Sequence, residues 1–275
     1  MFPKKLSVLV TNDDGCKSPL LLALVKELGL QAWCKEVRVV TPKSEQSWIS
    51  QAVTRFSEIN VEPHDFEGTT GFTVSGTPAD CSSLGIHNLY KSKPDLVISG
   101  INFGSNAGRA FLLSSGTVGG ATEAMLTGVP SIALSARVPE HVFAAWHNKE
   151  SLVLESHRED FQRIAKTSLE VCLSLLDQEL WQDVDFYSVN LPFESDSYTQ
   201  RAITRISQTN FGRLFTDVKS GEVFQHKFDE LVSEKPQKSQ IPADRETVLA
   251  GTISISPISY DLSPKNISEL EEKFK

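Results

Sequence analysis

Four short apolar runs with almost no polar alternation mark the first half of the chain: LSVLVT (6–11), EVRVVT (36–41), DLVISG (95–100) and PSIALS (130–135). Such runs, β-branched and bounded by turn residues, predict strands of a parallel sheet covered on both faces. The intervals between them carry helical spacing. SPLLLALVKELG places Leu21, Leu24, Val25 and Leu28 on one stripe, with Pro19 near its start and Gly29 at its end, which is the punctuation of a helix. GTVGGATEAMLTG (116–128) predicts a second helix, and RIAKTSLEVCLSLLDQ (163–178) a third, amphipathic one. Strands alternating with helices predict an α/β protein with a doubly wound, mainly parallel sheet.

The pattern changes in the last third. DFYSVNLP (185–192) and RAITRISQT (201–209) predict two more strands, and TISISPISYDLS (252–263) a closing one, followed by a short helix at NISELEEKF. Between them, residues 210–246 are polar and charged with scattered aromatics, and contain SEKPQKSQIPADRE, which predicts a loop or extended arm. The expected organisation is a single domain with a core of about 1–209 plus 247–263, an arm at about 210–246 and a C-terminal helix at 264–275.

Composition narrows the function classes. The chain has 275 residues, 40% hydrophobic and 23% charged, enough for a substantial core. A formal net charge of −8 argues against coating nucleic acid, which calls for a basic face. It leaves room for a small anionic substrate, since a local metal or a nest of amides overrides net charge. The four cysteines are widely spaced with no CxxC pair, as expected of reduced thiols in a cytoplasmic protein. The N-terminal apolar run stops at Asp13 and Asp14, too short for a signal-peptide core, and no stretch approaches the ~20 apolar residues of a membrane span.

Ligands of a doubly wound sheet bind outside the C-terminal ends of its strands, so the residues just past each run matter most. Thr11-Asn12-Asp13-Asp14-Gly15 follows the first. Asn, Asp and Gly make surface turns on their own, but adjacent carboxylates at a strand end also gain from a shared hard cation. TPKSEQSWIS follows the second and offers the hydroxyls of Ser44, Ser47 and Ser50, among which spacing does not choose. PDLVISGINFGSNAG (94–108) alternates Gly100, Asn102, Gly104, Asn106 and Gly108. Its glycines admit a ligand close to the backbone, and its asparagines ligate or donate. In SSGTVGGATEA (114–124), Ser115, Gly116 and Thr117 precede a helix, where amides and dipole meet an anion or where Ser and Thr simply cap. Asp80, in VSGTPADCSSLGI (74–86), fits capping or loop organisation better than catalysis. The six histidines lie apart without HxH or HExxH spacing, and neither a GxSxG elbow nor a P-loop occurs.

TNDDG, SGTPADC, PDLVISGINFGSNAG and SSGTVGGATEA, in this order and at these separations, resemble the SurE family of survival-protein nucleotidases. PADRETVLAGTISISPISYDLS is similar to that family's closing segment, so the resemblance runs from about Leu6 to about Leu262. It implies a Rossmann-like core and a C-terminal arm or hairpin exchanged between subunits of a homodimer or homotetramer. It implies a metal-dependent phosphomonoesterase that hydrolyses nucleoside monophosphates, as a 5′- and/or 3′-nucleotidase, with one Mg2+ or Mn2+ per subunit. Carried over by motif, the metal ligands are Asp13, Asp14, Asn102 and Ser47, the last selected by aligning Pro42 and Thr54 as anchors. Asp13 and Asp14 carry the catalysis, Asn106, Ser115, Gly116 and Thr117 contact phosphate, and Asn12 supports the metal loop.

The chain departs from the family pattern in three places. Cys16-Lys17-Ser18-Pro19-Leu20 stands where His-Ala-Pro-Gly is common, Gln46 and Trp48 flank Ser47 in place of Arg and a small residue, and Ser114 replaces Tyr. Two rival readings share some of these residues. An aspartyl-phosphate phosphatase normally spaces its two acids by one residue, whereas Asp13 and Asp14 are adjacent. A nucleotide-binding module that hydrolyses nothing has no need of two bare carboxylates beside a phosphate cradle.

Overall fold

The first apolar run forms β1 (Leu6–Thr11), and all of it is buried. Leu6, Val8 and Val10 enter one core cluster and Leu9 another, because successive strand side chains point to opposite faces. A strand covered on both sides therefore needs an unbroken apolar run. The computed structural model describes residues 5–228, 231–233, 239–261 and 271.

After β1 come α1 (Pro19–Gly29), β2 (Cys34–Pro42), the hairpin of β3 (Val61–Phe66) and β4 (Thr69–Val74), α2 (Pro78–His87) and β5 (Leu96–Phe103). The chain continues through α3 (Arg109–Ser114), α4 (Gly116–Leu126), β6 (Ser131–Arg137), α5 (Glu140–His147), α6 (Ser151–Ser156), α7 (Arg158–Ser174) and β7 (Phe186–Pro192). Then follow β8 (Arg201–Ile203), β9 (Thr209–Asn210), β10 (Phe215–Asp217), β11 (Phe224–His226), β12 (Val232–Ser233), α8 (Asp244–Leu249) and β13 (Ile253–Ile258).

Nine strands make one sheet in the order β3-β4-β2-β1-β5-β6-β7-β13-β8. Pairing is antiparallel only between β3 and β4 and between β13 and β7, so the sheet is mixed but mainly parallel, as the apolar runs predict. Leu20, Leu24 and Leu28 of α1 and Phe161, Ile164 and Leu169 of α7 pack in the cluster of Leu6, Val8 and Val10. Cys81 and Ile86 of α2 and Ala124 of α4 pack in the cluster of Leu9. Helices thus cover both faces.

Three regions differ from the apolar pattern. The β3–β4 hairpin carries few apolar residues because it sits at the sheet edge; its Glu67-Gly68 loop has φ of 51° and 98°, the twist of a type I′ turn. RAITRISQT belongs to the main sheet only at β8, because the chain leaves that sheet at Thr204, whose hydroxyl lies 2.7 Å from both Ser254 Oγ and Ser256 Oγ; its last residue, Thr209, opens β9 in a separate two-stranded pairing. In the expected arm, β10 and β11 pair only with each other among the described residues, and Phe215, Val218, Val223 and Phe224 are exposed. The arm's expected edge at residue 246 falls inside α8, where Asp244 is buried and accepts the amides of Gly108 and Ser207. The helix expected at 264–275 lies outside the described residues apart from Glu271.

Candidate active site

From β1 the chain moves to β2 on one side and later returns to β5 on the other. Strand order reverses between β1 and β5, and the crevice at such a switch point is the usual ligand site of an open α/β sheet. Asp13 and Asp14 leave β1 here, Asn102 lies on β5, Ser47 follows β2, and α4 begins at Gly116. A cavity of about 510 Å³ opens among them, lined by Asp13, Asp14, Ser47, Asn102, Asn106 and Ser115. Asn12, Gly116 and Thr117 are buried and do not line it.

Each acid is clamped by a different element. The Thr117 hydroxyl donates to Asp13 Oδ1 at 2.5 Å, and the Gln46 amide donates to the Asp13 carbonyl at 2.7 Å. The Phe103 amide donates to Asp14 Oδ2 at 2.8 Å. Asn12 is fully buried; its Nδ2 donates to the Gly15 carbonyl at 3.0 Å, closing the turn that carries both acids, while its Oδ1 has no donor among the described residues. Asn102 donates through Nδ2 to the Gly104 carbonyl at 2.7 Å, which leaves its Oδ1 available as an acceptor or ligand. Ser47 Oγ donates to Glu45 Oε1 at 2.7 Å and keeps its lone pairs.

Two glycines make these positions possible. At Gly100, φ is +135° and a Cβ would lie 2.3 Å from the Leu134 carbonyl. The register of β5 on β6 slips between Ser99 and Asn102 at this point, and such irregularities re-aim the residues that follow. At Gly116, a Cβ would lie 2.8 Å from Asp13 Cβ and 3.0 Å from the Gln46 carbonyl. Only glycine lets the first turn of α4 sit against the carboxylate.

The electrostatics follow from burial. Asp13 is 3% exposed and its pKa is pushed up to about 6 by desolvation, against the opposing pull of the Thr117 hydroxyl and amide. Burial and the charge of Asp13 hold Asp14 well above the usual carboxylate range. The ion pairs among the described residues all lie elsewhere. Two buried, unpaired carboxylates are costly unless they are protonated or bind a cation. Two carboxylates, a hydroxyl and a carboxamide oxygen form a hard donor set, so these residues fit a divalent cation of the Mg2+ or Mn2+ kind. Among the described residues no group of three or more His, Cys, Asp and Glu is placed for a metal, so neutral oxygens would have to complete the shell.

The groups expected at phosphate are more heavily committed. Asn106 donates through its amide to Asn190 Oδ1 at 2.8 Å and through Nδ2 to Ser135 Oγ at 2.9 Å. Ser115 Oγ caps α4 by accepting the Val118 amide at 3.1 Å. With Thr117 turned to Asp13, the anion that meets the helix N-terminus in this structure is the Asp13 carboxylate. Asp80 is a cap: with Thr77 it forms a capping box on α2 and also accepts the Thr54 amide and hydroxyl.

The cavity also has walls that the motifs did not point to. Arg137, at the end of β6, and Arg245, on α8, line it and bring positive charge. Trp48, Phe111 and Phe228 form an aromatic side. The signal for Trp48 was its place beside Ser47, where the motif usually has a small residue. Phe111 and Phe228 lie outside every motif.

The chain matches the family described as Survival protein SurE over residues 8–213. The 5′-nucleotidase SurE of Methanosarcina acetivorans is 32% identical over 281 aligned residues, covering 99% of this chain and 98% of that protein. Its namesake from Methanothermobacter thermautotrophicus is 37% identical over 205 residues, 73% of each chain. Among solved structures, the SurE protein of Aquifex aeolicus superimposes with a TM-score of 0.74 at 27% identity, covering 98% of this chain and 99% of its own. With this sheet, this switch point and near-complete coverage of its relatives, the chain belongs to the SurE family.

Proposed function

We propose that this chain is a phosphoric monoester hydrolase that removes phosphate from nucleoside monophosphates, as a 5′-nucleotidase, in the cavity at the β1–β5 switch point. The observation that carries the reading is the pair of buried carboxylates with no ion pair among the described residues, Asp13 and Asp14, in a chain whose relatives are named 5′-nucleotidase SurE. Asp13, Asp14, Ser47 and Asn102 would hold one divalent cation, Mg2+ or Mn2+. When bound, that ion supplies Lewis acidity toward a phosphate oxygen and toward water.

The chain's own residues orient and neutralise. Asn106 and the first turn of α4 position the phosphate, and Arg137 and Arg245 on the cavity wall offset charge gathering on its oxygens. Asp13 accepts the short Thr117 hydroxyl bond at 2.5 Å and Asp14 only a backbone amide at 2.8 Å, so Asp14 is our choice of acceptor for the proton of the attacking water. The apolar side chains exposed on β10–β11 support an arm exchanged within a homodimer or homotetramer. No helix among the described residues is long and apolar enough to cross a membrane, and four free cysteines accord with the cytoplasm.

Phosphate release from a panel of nucleoside monophosphates tests the reading, measured with Mg2+ or Mn2+, with chelator, and with Asp13→Asn. Turnover is expected only for the wild type with metal. Equal release under all three conditions overturns it.

A further inference from the structure

The cavity lining combines two kinds of group. One is the oxygen-rich set of Asp13, Asp14, Ser47 and Asn102, and the other is a cluster of aromatic rings, with Trp48 one residue beyond Ser47. The Trp48 ring lies 4.6 Å from that of Phe211 at 40° between planes, and 5.9 Å and 5.7 Å from Phe111 and Phe228. His226 meets it edge-on at 4.9 Å. Phe111, Phe211 and Phe228 also touch one another, with centroids 5.4 to 6.0 Å apart, so the indole rests on a packed support. Despite these partners Trp48 is 40% exposed, and it lines the cavity.

The backbone of Trp48 is informative too. Its φ is 62°, a left-handed conformation that glycine adopts freely and a bulky side chain does not. Holding a tryptophan there costs free energy, and strain kept beside a reactive site calls for a functional reason. The other large indole on the cavity, Trp146, packs on Phe103 at 5.5 Å and against the main core, which accounts for it structurally.

We propose that Trp48, braced by Phe211 and flanked by Phe111 and Phe228, stacks the nucleobase of the substrate and sets a preference for nucleotides over phosphate esters without a base. The proposal rests on the phosphomonoesterase reading above and adds the residue that reads the rest of the substrate. Bases stack on aromatic rings regardless of their hydrogen-bonding edges, so Trp48 favours purine over pyrimidine by stacking area and reads no particular edge. Phosphate held by Asn106 and the first turn of α4, beside the acidic set, would direct the nucleoside along the cavity to this ring.

The test compares kcat/KM for adenosine 5′-monophosphate with kcat/KM for ribose 5-phosphate. Trp48→Gly suits the φ of 62° and removes the whole side chain; Trp48→Phe keeps a π face. Loss of stacking lowers the ratio about ten-fold in Trp48→Gly, chiefly through KM for the nucleotide, with partial recovery in Trp48→Phe. A ratio that does not move in Trp48→Gly overturns the proposal. Quenching of tryptophan fluorescence by adenosine 5′-monophosphate gives a second readout independent of turnover. If the wild type hydrolyses neither ester, the functional reading fails, while quenching lost in Trp48→Gly still supports stacking and equal quenching in both proteins overturns it.

Discussion

Asp13 and Asp14 are 3% and 6% exposed and are tied by hydrogen bonds to α4, to β5 and to the loop after β2, whereas Trp48, next to Ser47 in that loop, is 40% exposed. The first region keeps like charges together by burial, by glycine-close packing and by clamping each acid from a different element. The second keeps a ring in place with other rings from α3 and the arm. The contrast separates two demands on one cavity. Charges that repel must be over-determined by the scaffold, because without a cation the site favours protonation. A stacking surface has no such penalty and can be built from loops.

The strongest way to break this contrast is Asp13→Asn. Turnover should fall by about three orders of magnitude, as on removing a charge-stabilising group from an active site, and phosphate assays at saturating metal will show it. Stability of the metal-free protein should move the other way. The folded pKa of Asp13 is about 6 against 3.8 in the reference state, so the native state binds this proton more tightly. The stabilisation from that proton is fully present below pH 3.8 and is lost as pH rises through about 6. Asp13→Asn should therefore be more stable than the metal-free wild type at pH 8, by about 2–3 kcal/mol, and the gain should vanish near pH 4. Denaturant melts at the two pH values check this, and a pH-independent difference would contradict it.

Gly116→Ala comes next. The added Cβ would sit 2.8 Å from Asp13 Cβ, so α4 or the Asp13 turn must shift. A shift of about 1 Å at a reacting group costs about 100-fold in rate, and overpacking costs about 1–3 kcal/mol in stability. Rate loss far in excess of any change in unfolding midpoint would mark Gly116 as a spacer for Asp13. The smallest effect should come from the arm. Phe224→Ser removes an exposed ring from β11, so the unfolding free energy of the subunit should change by less than about 0.5 kcal/mol. Its expected readout is a lower sedimentation coefficient, and unchanged sedimentation would count against subunit exchange through this hairpin.

Unbroken apolar runs and the period-3.6 pattern were enough to find the central strands and the helices α1, α4 and α7, since burial of one face or two is a local property written in side-chain polarity. The edge hairpin β3–β4 escaped that pattern because an edge strand buries little. The oxygen set of Asp13, Asp14, Ser47 and Asn102 was legible through motifs, with the choice of Ser47 over Ser44 and Ser50 resting on resemblance, and the structure lines one cavity with these four residues. Sequence by itself thus determined the sheet class, the family and the chemical character of the oxygen-rich set. Only the tertiary structure decided that Thr117 spends its hydroxyl on Asp13, that Ser115 caps α4, and that Phe211 and Phe228 come round to brace Trp48. These contacts join residues far apart in the chain, and no local periodicity records which distant side chains meet when long loops close.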